Sequence, residues 1–476
     1  MIKKISLIVI YFAQYLLIHA QVGIGTVSPK GILHLQNTDK ELGIVIPRVS
    51  TAESVTGVTV SQPLEGTLVY DNSKNCLRVR NSATSWSDCL ADENDVTPEI
   101  RLGRKGRKIG VVRDNAMVYI NPIDNDAVYG LGANTGGQIP SSNSSNYSIP
   151  VIKNNSFKDV SMGQTYGLAV AKDGTLWGWG TNTYGRIGDG NTGNVFAPKV
   201  IPLPGGVLAE RVTAGYFNAL VLGVDKKLYV SGYYAYSVTG GGETADVRPF
   251  KKIAFFDDKE VVDMEVGMQQ AVAVTSDGNI YVWGLNGGYV KRIGLPDGNV
   301  YLPTLLDTSS IFNSGEKVSQ ITMDNTTNGG GFITNQGRYF TFGYVYDYGI
   351  QGVTNTTPIE VTSELLAADE KFVGFDLDYY GVALITNKNR LFVAGRNTNG
   401  RLSTGGTTHL KTLTLADTSN IDGQMIDVAF GVSNMYIHVK DKNGNFKLYG
   451  AGSGSNNQLG KAGNSGNNPL LIDVLQ

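Results

Sequence analysis

Histidine is the side chain most often used for proton transfer near neutral pH. After residue 20 this chain has His34, His409 and His438. They lie in separate segments, and no two have the spacing that puts a pair of imidazoles on one helix face for zinc. No Gly-Lys-Ser/Thr loop is present to cradle a phosphate, and no Gly-x-Ser-x-Gly elbow to expose a serine nucleophile. Asp189-Gly190-Asn191 and Asp297-Gly298-Asn299 begin like calcium loops. They lack the acidic ligands that would follow and read as turns. The expectation is therefore no linear catalytic motif, no metal site and no cofactor. Carboxylates from distant segments that meet in the fold remain the one route to an active site.

Tyrosines are the residues best suited to binding. Tyr233, Tyr234 and Tyr236 form one group, Tyr344, Tyr346 and Tyr348 a second, and Tyr184 and Tyr289 stand alone in comparable positions, all among Asn and Gly. Tyrosine offers a large contact area, loses little entropy on ordering and carries a hydroxyl to satisfy, a mix that antibody paratopes share. These eight are the candidate binding residues. The competing reading is that alternate tyrosines pack inside the fold.

The elements that must carry them repeat. TLWGWG (residues 175–180) has relatives in AVYGLG (127–132), KLYVSG (227–232), NIYVWG (279–284), RYFTFG (338–343), RLFVAG (390–395) and KLYGAG (447–452). Copies about fifty residues apart indicate a solenoid, propeller or array. Six residues before most of the closing glycines stands a turn former, as in Asp173-Gly174 and Asp277-Gly278. Such pairs supply the positive φ of a tight hairpin. Apolar strands precede these turns, for example YGLAVA (166–171) and AVAVTS (271–276). Strands this apolar are buried on both faces. A Pro that opens an apolar strand, where no ladder hydrogen bond is lost, precedes most units, as at Pro150, Pro198, Pro249, Pro303 and Pro358, and one follows the last at Pro469. The expectation is ring closure in which the C-terminal strand completes the first blade, removing exposed sheet edges.

The pattern in DGTLWGWGTNTYGRIGDG (173–190), GRNTNGRLSTG (395–405) and GANTGGQI (132–139) resembles the regulator of chromosome condensation repeat. The resemblance implies an all-β, seven-bladed β-propeller over residues 109–476. GYYAYSVTGGG (232–242) and GYVYDYGIQG (343–352) depart from the Asn-x-x-Gly-x-Leu-Gly loop, and the His usual after the glycine that opens the hairpin strand is missing from GQTYGL, GYFNAL and GMQQAV.

Residues 1–20 read as a secretory signal: Lys3 and Lys4, an apolar run from Ile5 to Ile18, then Ala20. An uncleaved N-terminal anchor is the other reading. Cleavage would move the formal charge from −2 to −4 by removing two lysines. That gives no general attraction to nucleic acid. Residues 21–90 read as a small β-rich module. Its VGIGTVSPKGILHL (22–35), IPRVS (46–50) and Cys-x-Trp-x-Cys-like end resemble the tail-fibre-like N-terminal modules of exported flavobacterial proteins. In an oxidising compartment Cys76 and Cys89 are expected to pair, with two free thiols as the alternative. Residues 91–108, with Arg101, Arg104, Lys105, Arg107 and Lys108, read as a solvated linker. The function expected is that of a secreted or surface recognition protein, not an enzyme, binding a protein or glycan. The alternatives are an adhesin or fibre tip oligomerised by the N-terminal module, and a lyase or glycosidase acting at the propeller axis.

Overall fold

The computed structural model describes the strands Val22–Ile24, Leu33–Leu35, Arg48–Val49, Leu68–Asp71, Cys76–Ser82 and Ser85–Trp86. It then describes residues 106–111, 116–132, 134, 137, 139, 149–286, 298–324, 329–344, 354–378, 380–460 and 466–475. Contacts divide the chain into residues 1–95 and 96–476. In the first unit, Val22–Ile24 runs parallel to Leu33–Leu35, and the other four strands form one sheet in chain order. The expected Cys76–Cys89 bridge is not shown, since Cys89 lies outside the described residues.

The second unit is a seven-bladed β-propeller. Its blades are four-stranded antiparallel sheets of consecutive strands: residues 109–152, 157–201, 209–252, 261–306, 318–361, 372–415 and 424–473, here blades 1 to 7. The second and third strands are apolar on both faces because a blade packs on each side of them. Tyr166–Ala171, Asn218–Gly223, Gln270–Thr275 and Gly381–Thr386 are buried at every position. One apolar cluster fills each gap between neighbouring blades. The ring closes with a cluster in which Ile109, Met117 and Tyr119 of blade 1 meet Ala429, Tyr436 and Leu448 of blade 7.

Two expectations are corrected here. The C-terminal strand does not complete blade 1: Asn467–Asp473 pairs with Phe446–Ser453 inside blade 7. Each Pro segment is the fourth strand of its own blade, so no unit lacks one and no strand is left to exchange. The ring instead closes by the shared apolar cluster and by the Lys108 N–H, which donates to Asp427 Oδ2 at 2.9 Å. Nor do the prolines open their strands. Pro198, Pro249, Pro303, Pro358 and Pro469 sit within fourth strands where the register to the third strand breaks. A bulge with a proline spoils an outer edge as a template for another strand.

The closing glycines are required by the backbone. Gly180 has φ 101°, and a Cβ there would lie 2.5 Å from Thr165 O. Gly232, Gly284, Gly395 and Gly452 share the left-handed conformation and press on the carbonyl after the corresponding first-strand turn. This close approach locks the end of the third strand to the turn between strands one and two.

Candidate recognition face and axis

Neighbouring strands within a blade are antiparallel, so the first and third run the same way. Turns after first strands and loops after closing glycines therefore emerge on one face. Tyr184 lies in such a loop of blade 2, and Tyr233, Tyr234 and Tyr236 in that of blade 3. Tyr216 and Phe217 lie in the turn after the first strand of blade 3.

The structure brings these six rings together. Phe217 is at their centre, with ring centroids 6.0 Å from Tyr184, 5.6 Å from Tyr233, 5.6 Å from Tyr236 and 4.4 Å from Tyr216. Tyr184 and Tyr233 are 4.3 Å apart, and Tyr234 meets Tyr233 at 5.7 Å, edge to face. Tyr234 is the most open, 37% exposed. Tyr236 also packs on the core between blades 3 and 4, so the packing reading holds for that ring in part. Tyr184 takes φ 66°, a backbone state that is uncommon for an aromatic residue and recurs at ligand-binding sites. The blade 3 loop is fastened from blade 4. Trp283 Nε1–H donates to Val238 O at 2.7 Å, and Asn299 Nδ2 donates to Ala235 O at 3.0 Å. Tyr289, Tyr346 and Tyr348 lie outside the described residues, and Tyr344 is described only as the end of a strand.

Phe217 and Tyr216 were missed as candidates because they follow Gly215 rather than a closing glycine. The shared direction of strands one and three is the signal that would have found them.

Where the family-like loop is intact, its polar side chains are used internally. Asn182 is fully buried. Its Oδ1 accepts from Ile187 N at 2.9 Å, and its Nδ2 donates to Asp189 Oδ1 and Asn191 O. Asn397 repeats this with Leu402 N, Thr404 Oγ1 and Gly406 O. The arginine four residues on ties its loop to the next blade. Arg186 donates to Tyr216 O at 2.8 Å, and Arg401 donates to Asp378 Oδ2 at 2.8 Å and to Gly431 O. The matching Gly185-Arg186-Ile187 and Gly400-Arg401-Leu402 were visible in the sequence.

The axis is lined by first strands and is strongly charged. Arg107 NH2 reaches from blade 1 to Glu265 Oε1 of blade 4 at 2.5 Å, a contact possible only at the centre. Arg211 pairs with Asp263 at 2.5 Å, both buried. Aspartates stitch blade to blade through backbone N–H groups: Asp159 Oδ2 accepts from Val212, Asp263 Oδ2 from Ile321 and Asp376 Oδ2 from Phe430. Burial works against the Arg107 charge. Glu265, Asp376, Asp159 and Asp427 outweigh it and hold its pKa above the ordinary value. Arg107 and Lys108 are thus not part of a solvated linker. Composition alone could not show this, because the balancing acids come from blades 2, 4, 6 and 7.

His438 is buried in the second strand of blade 7, its ring 5.3 Å from Phe446. Burial, and then Lys108, lower its pKa to about 3, so it is neutral at physiological pH. His409 Nδ1 accepts from Asn397 N at 2.9 Å, a structural use.

Residues 173–222 match the regulator of chromosome condensation (RCC1) repeat, and residues 157–186 match a second description of that repeat. Residues 23–99 match a phage tail like trimerisation region. The ultraviolet-B receptor UVR8 of Arabidopsis thaliana is 24% identical over 312 residues, covering 62% of this chain and 67% of that protein. The human E3 ubiquitin-protein ligase HERC2 is 30% identical over 151 residues, 31% of this chain and 3% of that much longer protein. In fold, human WBSCR16 aligns with a TM-score of 0.60 at 20% identity, covering 71% of this chain and 89% of its own. Yeast RCC1 (Prp20), solved bound to Kap60, aligns at 0.58 and 15%, covering 83% and 90%.

Proposed function

From a chain that carries regulator of chromosome condensation repeats on a seven-bladed propeller, we propose an exported or surface-displayed recognition protein. It binds a protein or glycan through the blade 2 and blade 3 loops. The observation that carries this is the continuous aromatic cluster on one propeller face, six rings from Tyr184 to Tyr236 held by contact with one another. Aromatic anchors set in a rigid frame are the usual source of binding energy at interfaces. The solved relative bound to Kap60 supports binding as a use of this fold. Export rests on the sequence of residues 1–20.

Carboxylates and arginines do converge on the axis, as an enzyme there would need. Asp159, Asp263 and Asp376 are engaged with backbone N–H groups, and Arg107 and Arg211 with acids. That favours binding over catalysis. The match of residues 23–99 to a trimerisation region supports a second element, an N-terminal module that assembles three chains and so multiplies weak contacts through avidity.

The test is capture from surface extracts and a glycan array by the full chain, beside a Tyr184→Ala/Tyr234→Ala variant whose melting is followed in parallel. Capture that the folded variant loses is expected. Capture that the variant keeps would move recognition off this face. Light scattering on the same sample should give the mass of three chains, and a monomer would remove the assembly role.

A further inference from the structure

Where a tyrosine hydroxyl serves the propeller core, it is bonded within it. Tyr166 Oη donates to Asn218 O at 2.8 Å, Tyr229 Oη to Asp225 Oδ2 at 2.8 Å and Tyr436 Oη to Gln458 O at 2.9 Å. The aromatic face behaves differently. The hydroxyls of Tyr184, Tyr216, Tyr233, Tyr234 and Tyr236 bond to no group among the described residues, and all five side chains are at least partly exposed. The charged side chains of the blade 2 and blade 3 loops, by contrast, are already engaged. Arg186 donates to Tyr216 O and Thr165 Oγ1, Asp189 pairs with Lys199, Glu243 with Lys251 and Asp246 with Arg248. These loops therefore offer a ligand rings and hydroxyl donors. Neighbouring rings are inclined by 39° to 72° at centroid distances of 4.3 to 6.0 Å. Rings set at such angles leave clefts between them and form no broad flat shelf.

We propose that the ligand is a protein, and that it docks a proline-rich segment in polyproline II conformation on this face, its proline rings in the clefts beside Phe217 and Tyr234 and its carbonyls accepting from the tyrosine hydroxyls. This rests on the recognition reading above and extends it by fixing the class of ligand. Three properties of such a segment match the face. Its pyrrolidine rings are compact and apolar, and grooves lined by aromatic rings are where proline-rich segments dock. Its backbone makes no internal hydrogen bonds, so every carbonyl is free to accept, while proline itself has no N–H to satisfy. It is extended before binding, so docking costs little conformational entropy. With three residues per turn, prolines three apart stand on one side of the segment, roughly 9 Å from each other. A sugar fits less well. It stacks best on one open, flat ring face, and its many hydroxyl donors call for carboxylates, which these loops have already paired with cations.

The probe is a phage-displayed library of linear peptides, selected on the full chain and then measured on its Tyr233→Phe, Tyr234→Phe and Tyr234→Ala variants. The expected result is enriched peptides with prolines three apart. Their affinity should fall by about three- to tenfold for each hydroxyl removed, the range for one neutral hydrogen bond. The phenylalanine variants keep every ring contact and remove hydroxyls that bond to nothing in the fold, so they leave the propeller intact. Exchange of the paired prolines for alanine reads the same contact on the unaltered protein and should abolish binding. Enriched peptides that Tyr234→Ala weakens but that show no proline spacing would overturn this proposal and leave the recognition face standing. So would proline-bearing peptides that bind the phenylalanine variants as tightly as the original chain, or capture on a glycan array alone that Tyr234→Ala removes. No ligand from either library, or ligands indifferent to Tyr234→Ala, would overturn both.

Discussion

Blades 2 and 3 are neighbours cut from one repeat, yet their loops spend their side chains in opposite ways. In blade 2, Asn182 is fully buried and bonds Ile187, Asp189 and Asn191, while Arg186 reaches into the turn of the next blade. Blade 6 does the same with Asn397 and Arg401. In blade 3 neither residue is present. The loop is pinned from outside by Trp283 and Asn299, and its Tyr233 and Tyr234 pack against other rings, with Tyr234 partly open to solvent. Side chains that keep the family pattern hold the ring together. Side chains that replace it are available for a ligand. Recognition is therefore to be sought where the repeat departs from its own rule.

The comparison is sharpest at Arg401. Its side chain is 2% exposed, its partner Asp378 is 7% exposed, and it also donates to Gly431 O of blade 7. Arg401→Ala would leave Asp378 and that carbonyl buried without their cation. The expected loss is about 3–5 kcal/mol in denaturant unfolding, the range for breaking a buried pair from one side. A loss below ~1 kcal/mol would mean that the blade 6 loop is held by Asn397 alone, and the division between structural and available loops would be drawn in the wrong place.

A second test uses a buried polar side chain that no family loop employs. His438 has a folded pKa near 3 against an ordinary 6.5, and its Nδ1 has no hydrogen-bond partner among the described residues. Between these values the unfolded chain binds the proton and the folded chain does not, so stability falls as pH drops below about 6.5. By pH 5 the single group accounts for about 2 kcal/mol. His438→Phe should remove that part of the acid sensitivity when the two proteins are unfolded side by side from pH 7 to 5. Parallel curves would mean that His438 takes up a proton in place, and its setting beside Phe446 would have to open.

Much of this architecture was legible in the chain. Apolar second and third strands, turn formers six residues ahead of the closing glycines, and the spacing of those glycines specify seven blades, because each demands burial on both faces or a positive φ. Lys226 shows the limit of that signal: it takes φ 63° at the turn position with no glycine or asparagine, its ammonium 2.5 Å from Glu210. Ring closure was misjudged because a proline in an apolar stretch looks the same before a unit as after one. Only pairing decides that Pro150 belongs with Tyr129. The axis was misjudged for a related reason. Arg107, Glu265 and Asp376 lie far apart in the chain and share one centre, and no local window contains them. Four of the eight candidate tyrosines gather on one face, joined there by Tyr216 and Phe217, which only the strand directions connect to them.

The smallest stability effect should belong to the residue with the largest effect on binding. Tyr234 touches Tyr233 edge to face and is the most exposed of the six rings, at 37%, so Tyr234→Ala removes one aromatic contact and part of a half-covered side chain. Unfolding free energy should fall by about 1 kcal/mol, the range for losing one aromatic pair. If Tyr234 is an anchor for a ligand, the same substitution should weaken binding by about 2 kcal/mol or more, the range for an interface hot spot. The two numbers have to be measured on one preparation, since their ratio carries the meaning. A large loss of stability would return Tyr234 to the structural class with Arg401. A small loss of both would make the blade 3 loop a tolerated departure from the repeat with no ligand of its own.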